Sequence, residues 1–158
     1  MDLSLKVETR EFEAYIDRIT RGMEPEVLRK TLVRTAFDFI GGVVKGTPKD
    51  TGRAAGGWTP WTDHAGKPVP VTGSSGTGVT QGKSEGSYQE DLNGPSQSIE
   101  LTNGVPYIVP LEYGHSQKMT GAVRINMRRI REKIEVHAQK ALSEEIREAD
   151  AKTRGIRG

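Results

Sequence analysis

Pro48-Lys49-Asp50-Thr51-Gly52-Arg53-Ala54-Ala55-Gly56-Gly57-Trp58 is the stretch on which the fold turns, because one helical pattern stops there and a different kind of structure begins. Gly46-Thr47-Pro48 ends the helix before it, since proline removes a backbone donor and clashes with the preceding turn. Asp50 can accept a hydrogen bond from backbone N–H groups two residues on, and Gly52 can take a positive φ. The expected product is a tight turn that launches a strand through Trp58 and Trp61.

Upstream, Leu28, Leu32, Val33, Ala36, Phe37, Ile40, Val43 and Val44 keep helical spacing for about five turns, with Arg29, Lys30 and Arg34 largely on other faces. Pro25 fits the first turn of such a helix, and Glu24 and Glu26 suit its positive end. The pattern predicts a helix over 25–45. Gly41-Gly42 weakens it by about 1 kcal/mol per glycine relative to alanine, so a glycine pair there implies close packing or a bend. Further upstream Thr9 can cap a short helix with Phe12, Tyr15, Ile16 and Ile19 at i, i+3, i+4 and i+7, closed by Gly22.

Downstream, residues 62–97 are punctuated by Gly, Pro and Ser, including Gly73-Ser74-Ser75-Gly76-Thr77-Gly78. Long loops without structure of their own are usually functional or disordered, so this stretch reads as a flexible insertion, with Val69, Val71 and Val79 able to support a thin hairpin. Ile99 and Leu101 alternate with polar residues as in a half-buried strand, and Asn103-Gly104 is a turn dipeptide. Pro106–Tyr113 reads as a short turn or helical piece closed by Gly114. A last helix is expected over 123–149, with Val123, Ile130, Ile134, Ala138, Ala141, Leu142 and Ile146 as its apolar stripe and 151–158 as a frayed tail. These elements predict a single α+β domain: a small antiparallel sheet containing Trp58 and Ile99–Leu101, packed by the two longer helices.

Only 34% of the 158 residues are hydrophobic, against roughly 45–50% in an ordinary globular domain on a count that includes glycine, so the core must be assembled from the two ends and a few short strands. There is no cysteine, hence no disulfide and no thiolate metal site. No apolar run approaches the ~20 residues that span a bilayer, and Met1-Asp2-Leu3-Ser4 does not open a signal peptide. The expectation is a soluble intracellular protein that makes no membrane contact.

Catalytic and cofactor motifs are absent from the sequence. Gly78-Val79-Thr80-Gln81-Gly82-Lys83-Ser84 looks like a phosphate-binding loop, but Thr77 stands where its first glycine belongs and Glu85-Gly86-Ser87 supplies no following helix. His64, His115 and His137 share no metal-ligand spacing, and no serine sits in a G-x-S-x-G elbow. Glu112 and His115 flank the Gly114 turn, where local hydrogen bonding explains them better than chemistry. The expectation is therefore neither an enzyme nor a holder of metal or cofactor.

Two features suit contact with partners. From Arg124 to Gly158 there are ten Lys/Arg against six Asp/Glu, a local excess larger than the whole chain's net +2. Arg124, Arg128, Arg129, Arg131 and Lys133 begin the last helix, either as a solvated face with i, i+4 pairs such as Arg128–Glu132 and Arg131–Glu135, or as contacts to DNA or an acidic neighbour. Trp58, Trp61, Tyr107 and Tyr113 either fill a small core or anchor a subunit interface, where such aromatics are enriched.

The two turn blocks carry a resemblance. Thr47, Pro48, Asp50, Thr51, Gly52 and Trp58 resemble the T-P-x-D-T-G-x-L … W element, and Asn103, Val105, Pro106, Tyr107, Glu112 and Gly114 the N-x-V-P-Y … x-E-x-G element, of the head–tail joining (neck or tail-completion) proteins of long-tailed bacteriophages. The likeness spans about 27–149 and keeps the order helix, first block, variable insertion, strand, second block, helix. Ala54 departs from the usual leucine, and a proline-rich P-x-P-F-L continuation is missing, which leaves open whether the type is tail terminator, tail completion protein or head-side connector. The resemblance implies a non-enzymatic virion component, assembled in the host cytoplasm into a ring in the neck, with six copies the expected number. Its implied partners are itself, portal-side connector proteins, tail-tube or tail-terminator proteins, and the passing DNA without sequence preference. In that reading Pro48, Asp50, Thr51, Gly52, Asn103, Gly104, Pro106 and Gly114 are structural turn residues. The alternative from another class is a small basic nucleic-acid-associated protein acting as monomer or dimer.

Overall fold

A computed structural model describes residues 22–113 and 121–156. The short helix expected between Thr9 and Gly22 lies outside them, as do Gly114 and His115. The described chain is α+β, eight elements in the order α1 (Pro25–Gly46), α2 (Arg53–Gly56), α3 (Pro60–His64), α4 (Gly76–Glu85), β1 (Gly86–Asp91), β2 (Ser98–Asn103), α5 (Ile108–Tyr113) and α6 (Ala122–Ile156).

The two long helices, α1 and α6, run antiparallel along each other. Lys30 meets Glu145 and Glu148 at one end of the pair (3.0 and 2.9 Å), Asp38 meets His137 and Arg129 in the middle, and Gly46 lies against Ala122 at the other end. Gly42 lies directly beneath side chains of α6. A Cβ there would overlap the side chains of Asn126 and Arg129, whereas one on Gly41 would meet nothing. The glycine pair therefore marks close packing, and only its second member is needed for it.

The buried face of α1 begins with Val27, Thr31 and Thr35 before it reaches Ile40, Val43 and Val44. Apolar spacing alone favours Leu28 and Leu32, which are only half-buried. The threonines can be inside because each hydroxyl donates to the carbonyl four residues back, Thr31 to Val27 and Thr35 to Thr31, both at 2.7 Å. α6 continues past Ala149 to Ile156, so most of the expected frayed tail is helical. Of its expected stripe, Val123, Ile130, Ile134, Ala138 and Ala141 are buried, but Leu142 and Ile146 are exposed.

The middle of the chain departs most from expectation. Trp58 and Trp61 lie in no strand. Gly52 takes φ 75°, and the chain beyond it winds into helical turns, with Gly56 N–H donating to Gly52 O at 2.8 Å and Gly57 N–H to Arg53 O at 3.1 Å. Ala54 and Ala55 favour helix, and Pro60 starts the next turn at the position where its missing donor costs nothing, so local preference outweighs the β propensity of tryptophan.

Residues 62–97 are not one long loop: they hold α4 and β1. Ser75 caps α4, its hydroxyl accepting from Gly78 N–H at 3.3 Å. The glycines act as contact surfaces there. Any Cβ on Gly56 would stand 2.6 Å from the carbonyl oxygen of Val79, and one on Gly78 or Gly82 would overlap the carbonyls of Thr51 or Arg53 more closely still. Two glycines four apart on one helix thus let α4 lie directly on the backbone of the first turn block. Val79 belongs to this helix, so the hairpin expected from Val69, Val71 and Val79 does not form; the hairpin is β1–β2, antiparallel, with Tyr88 opposite Leu101 and Glu90 opposite Ile99. β2 borders α1, and β1 borders α3.

Candidate functional site

The two turn blocks, separated by the 44 residues between Trp58 and Asn103, fold against one another. Asn103, buried at the end of β2, joins them. Its amide nitrogen donates to the carbonyl of Ala54 in the first block at 2.8 Å, and its carbonyl oxygen accepts from Val105 N–H in the second at 3.1 Å. Gly57 packs so tightly on the Asn103 amide that no Cβ would fit. One asparagine thereby satisfies a donor and an acceptor that would otherwise be stranded in a core formed by Ala54, Ala55, Trp58, Val105, Ile108 and Leu111.

Gly104 continues the junction, its N–H donating to Glu85 O at 2.9 Å. Glu85 itself holds Arg53 through two hydrogen bonds, of which the Nε–Oε2 contact is 2.7 Å. The hydrogen bonds from Arg53 hold the Glu85 carboxyl below its ordinary range. The Arg53 guanidinium also lies 5.8 Å from the centre of the Tyr107 ring, a cation–π contact that spans the two blocks. Between them opens a cleft of about 350 Å³, lined on one side by Pro48, Asp50 and Thr51 and on the other by Tyr107, Pro110 and Leu111.

Glu112 ties the second block to α6. Buried within α5, its carboxylate accepts from the N–H of Val123 at 3.0 Å and of Arg124 at 2.9 Å, two of the unpaired donors that open a helix. A negative group there also complements the helix dipole. Arg124 folds back onto this cap, donating to the Glu112 carbonyl at 2.6 Å and lying over the Tyr113 ring at 5.1 Å. The role of Glu112 is thus helix capping.

The aromatic set divides. Trp58 and Trp61 are core residues and cannot anchor a subunit interface; Trp61 stacks obliquely on Phe37 (4.8 Å) and donates its indole N–H to Glu90 at 2.8 Å. Tyr107 and Tyr113 are exposed.

The basic set divides too. At about 100° per residue, Arg128 and Arg131 share a face of α6 that Arg129 and Lys133 do not. Arg129 is built into the helix pair: it donates to Asp38 Oδ1 at 2.5 Å, to the Asp38 carbonyl at 2.8 Å and to Asn126 Oδ1 at 3.0 Å. Asp38 also meets His137 Nε2 at 2.9 Å. Burial pushes the Asp38 carboxyl up, but the hydrogen bonds from Arg129 and His137 outweigh it and leave it below its ordinary value. Arg124 and Arg129 are therefore structural, whereas Arg128, Arg131 and Lys133 lie exposed.

The remaining singled-out groups have local partners. Lys83 pairs with Asp63 at 2.5 Å, and His64 meets Glu90 at 3.2 Å while stacking on Tyr88. The Gly78–Ser84 segment lies wholly within α4 and is followed by β1, so it is a helix leading into a strand and not a phosphate-binding loop leading into a helix. Among the described residues no three His, Asp or Glu side chains gather as metal ligands. Sequence reasoning missed Asp38, Arg53–Glu85 and the Gly78/Gly82 contact surface. The signals were present: a lone acid between two phenylalanines on an apolar helix, and glycines repeated at i, i+4.

No family model, no curated protein and no solved structure matches the chain.

Proposed function

We propose that this chain is a structural subunit of the neck of a long-tailed bacteriophage, assembling into a ring that completes the head–tail joint around the DNA channel. The observation that supports the reading is the junction at Asn103: the two blocks that carry the resemblance fold into one unit, and their polar residues hold backbone in place. A further support is the outer face of α6. Exposed Ile125 and Val136 flank Arg128 and Glu132 at intervals of three and four residues, an apolar and oppositely charged strip suited to a neighbouring subunit. Repeated head-to-tail contacts of that kind terminate by closing a ring, in which a modest charge per subunit is repeated around one axis. Arg128 and Arg131, on that side of the helix, then face DNA or an acidic neighbouring ring.

The test is to locate the protein in purified virions by gold-labelled antibody and to count its copies. Label at the head–tail joint with a ring-like copy number is expected; label elsewhere, or absence from particles, overturns the proposal. Arg128→Glu with Arg131→Glu should leave the fold intact and yield heads and tails that fail to join. Arg129→Glu is unsuitable for that purpose, because it would set a carboxylate against Asp38 inside the helix pair. A monomer or dimer that binds DNA with a steep salt dependence would instead favour the nucleic-acid-associated alternative.

A further inference from the structure

Lys133, Lys140, Arg147 and Arg154 recur at intervals of seven along α6, and all four are exposed. At about 100° per residue a seven-residue step falls back by about 20°, so the four stay within an arc of about 60° and form one stripe down the helix. The stripe is roughly 32 Å long at about 1.5 Å per residue. Arg128 lies about 110° and Arg131 about 170° from its middle, on other sides of the same helix. The charge of the stripe is uncompensated because the acids beside it are already held in the helix pair. Arg34 binds Glu144, Lys30 binds Glu145 and Glu148, and Asp38 is held by Arg129 and His137. Among the described residues none of the four stripe cations makes a salt bridge or a side-chain hydrogen bond. Asp150 lies at the edge of the stripe, three residues beyond Arg147.

We propose that this stripe is the surface that duplex DNA touches through its phosphates, without sequence preference, which leaves Arg128 and Arg131 to the neighbouring subunit. The inference rests on the reading of a ring around DNA for its setting, and adds which flank of α6 lines the channel. Duplex DNA carries one negative charge per about 1.7 Å of its axis, so a stripe of this length lies along roughly nine base pairs and each flexible cation reaches a phosphate in any register. Val136 and Ser143, exposed between the cations, are short enough to let a nucleic-acid backbone approach. Other acidic partners fit less well. A partner helix needs an apolar seam between the charges, and here the stripe offers little beyond Val136. A membrane surface needs a broad apolar face beside the cations, whereas α6 turns Ile130, Ile134 and Ala141 into the core. No aromatic side chain accompanies the stripe, so it has nothing on which the bases of a single strand would stack.

The test follows binding of the full chain to a duplex of about 30 base pairs by fluorescence anisotropy from about 20 to 200 mM salt, where each phosphate neutralised adds about 0.9 to the slope of log K against log salt. The combined variant Lys133→Gln, Lys140→Gln, Arg147→Gln and Arg154→Gln should lower that slope by about 3 and weaken binding at the lowest salt by about tenfold or more. Arg128→Gln with Arg131→Gln should change the slope by less than about 0.5, and Ser143→Lys, which adds a cation between Lys140 and Arg147, should raise it by about 0.9. Circular dichroism checks that each variant keeps its helix. A slope lost with Arg128 and Arg131 instead, no saturable binding by the parent at about 20 mM salt, or tighter retention by phosphatidylserine vesicles than by duplex would overturn the inference. Light scattering on the same samples separates this result from the ring. A slope carried by the stripe in a monomer or dimer keeps the inference and counts against the ring, whereas a ring whose DNA binding ignores the stripe does the reverse.

Discussion

Asn103→Ala is the substitution most sharply tied to the junction between the two blocks. It removes the donor to Ala54 O and the acceptor from Val105 N–H, and both backbone groups belong to residues that are almost wholly buried. A buried group left without a partner costs about 1–3 kcal/mol, and two of them, partly relieved by relaxation or an entering water, give a loss of about 2–5 kcal/mol. In a chain of this length each kcal/mol moves the melting temperature by roughly 2–4 °C, so Tm should fall by roughly 5–15 °C. Asn103→Asp keeps the acceptor for Val105 but sets a carboxylate oxygen against the Ala54 carbonyl, and at neutral pH should lose at least as much. The assay is urea and thermal unfolding followed by circular dichroism, with the exposed neighbour Thr102→Ala as control, expected within about 0.5 kcal/mol of the parent. If Asn103→Ala also stays within that margin with an unchanged m-value, the asparagine does not hold the blocks together and the account of the junction fails.

Three further outcomes follow from the same contacts. Gly82→Ala should destabilise by about 1–3 kcal/mol through overpacking on the Arg53 carbonyl, although helix propensity alone favours alanine by about 1 kcal/mol, whereas Gly76→Ala, with nothing near its added Cβ, should be neutral or stabilising; matched urea midpoints for the two would refute the contact-surface reading. Glu112→Ala should lower stability by about 1–3 kcal/mol and speed hydrogen exchange at Val123 and Arg124, because both N–H groups lose their acceptor; unchanged exchange there would remove the cap. Asp38 is held below its ordinary value of 3.8, so the unfolded chain takes up the proton first: the contribution is complete above about pH 4.5 and is lost as pH falls through the folded value. Stability measured from pH 7 to pH 3 should therefore fall less steeply in Asp38→Asn than in the parent, and parallel profiles would count against the Asp38–Arg129–His137 cluster.

The two long helices were legible because each carries an apolar repeat long enough to outweigh local noise. Their exact faces were less so. Thr31 and Thr35 read as polar and are buried, since a helical threonine can satisfy its hydroxyl on the carbonyl four residues back and present only its methyl to the neighbour. Leu142 and Ile146 read as core and are exposed, because periodicity shows which side of a helix is apolar but not how much of that side its partner covers: α1 runs past both, with Lys30 on Glu145 and Glu148, and leaves their flank of α6 open. The β1–β2 hairpin was half legible: Ile99 and Leu101 alternate cleanly, but Gly86-Ser87-Tyr88-Gln89-Glu90-Asp91 offers one large apolar side chain and becomes a strand by pairing with β2.

The glycines explain why the middle of the chain was misread, including the strand expected through Trp58 and Trp61, while the positive φ at Gly52 was read correctly. A glycine lowers the apparent order of any window in sequence, yet it is also the residue that permits two backbones to touch, and the difference is visible only once the second backbone is in place. Gly56, Gly78, Gly82 and Gly86 each face a carbonyl of another element, so the region poorest in apolar side chains is held by close backbone approach and by pairs such as Arg53–Glu85. In the turn blocks, by contrast, Gly52 and Asn103 are chosen by local geometry: one needs a positive φ, the other presents a donor and an acceptor at the end of a strand. Requirements of that kind are written into residue type directly, which is why the turn at Gly52 could be read before the surfaces it joins were known.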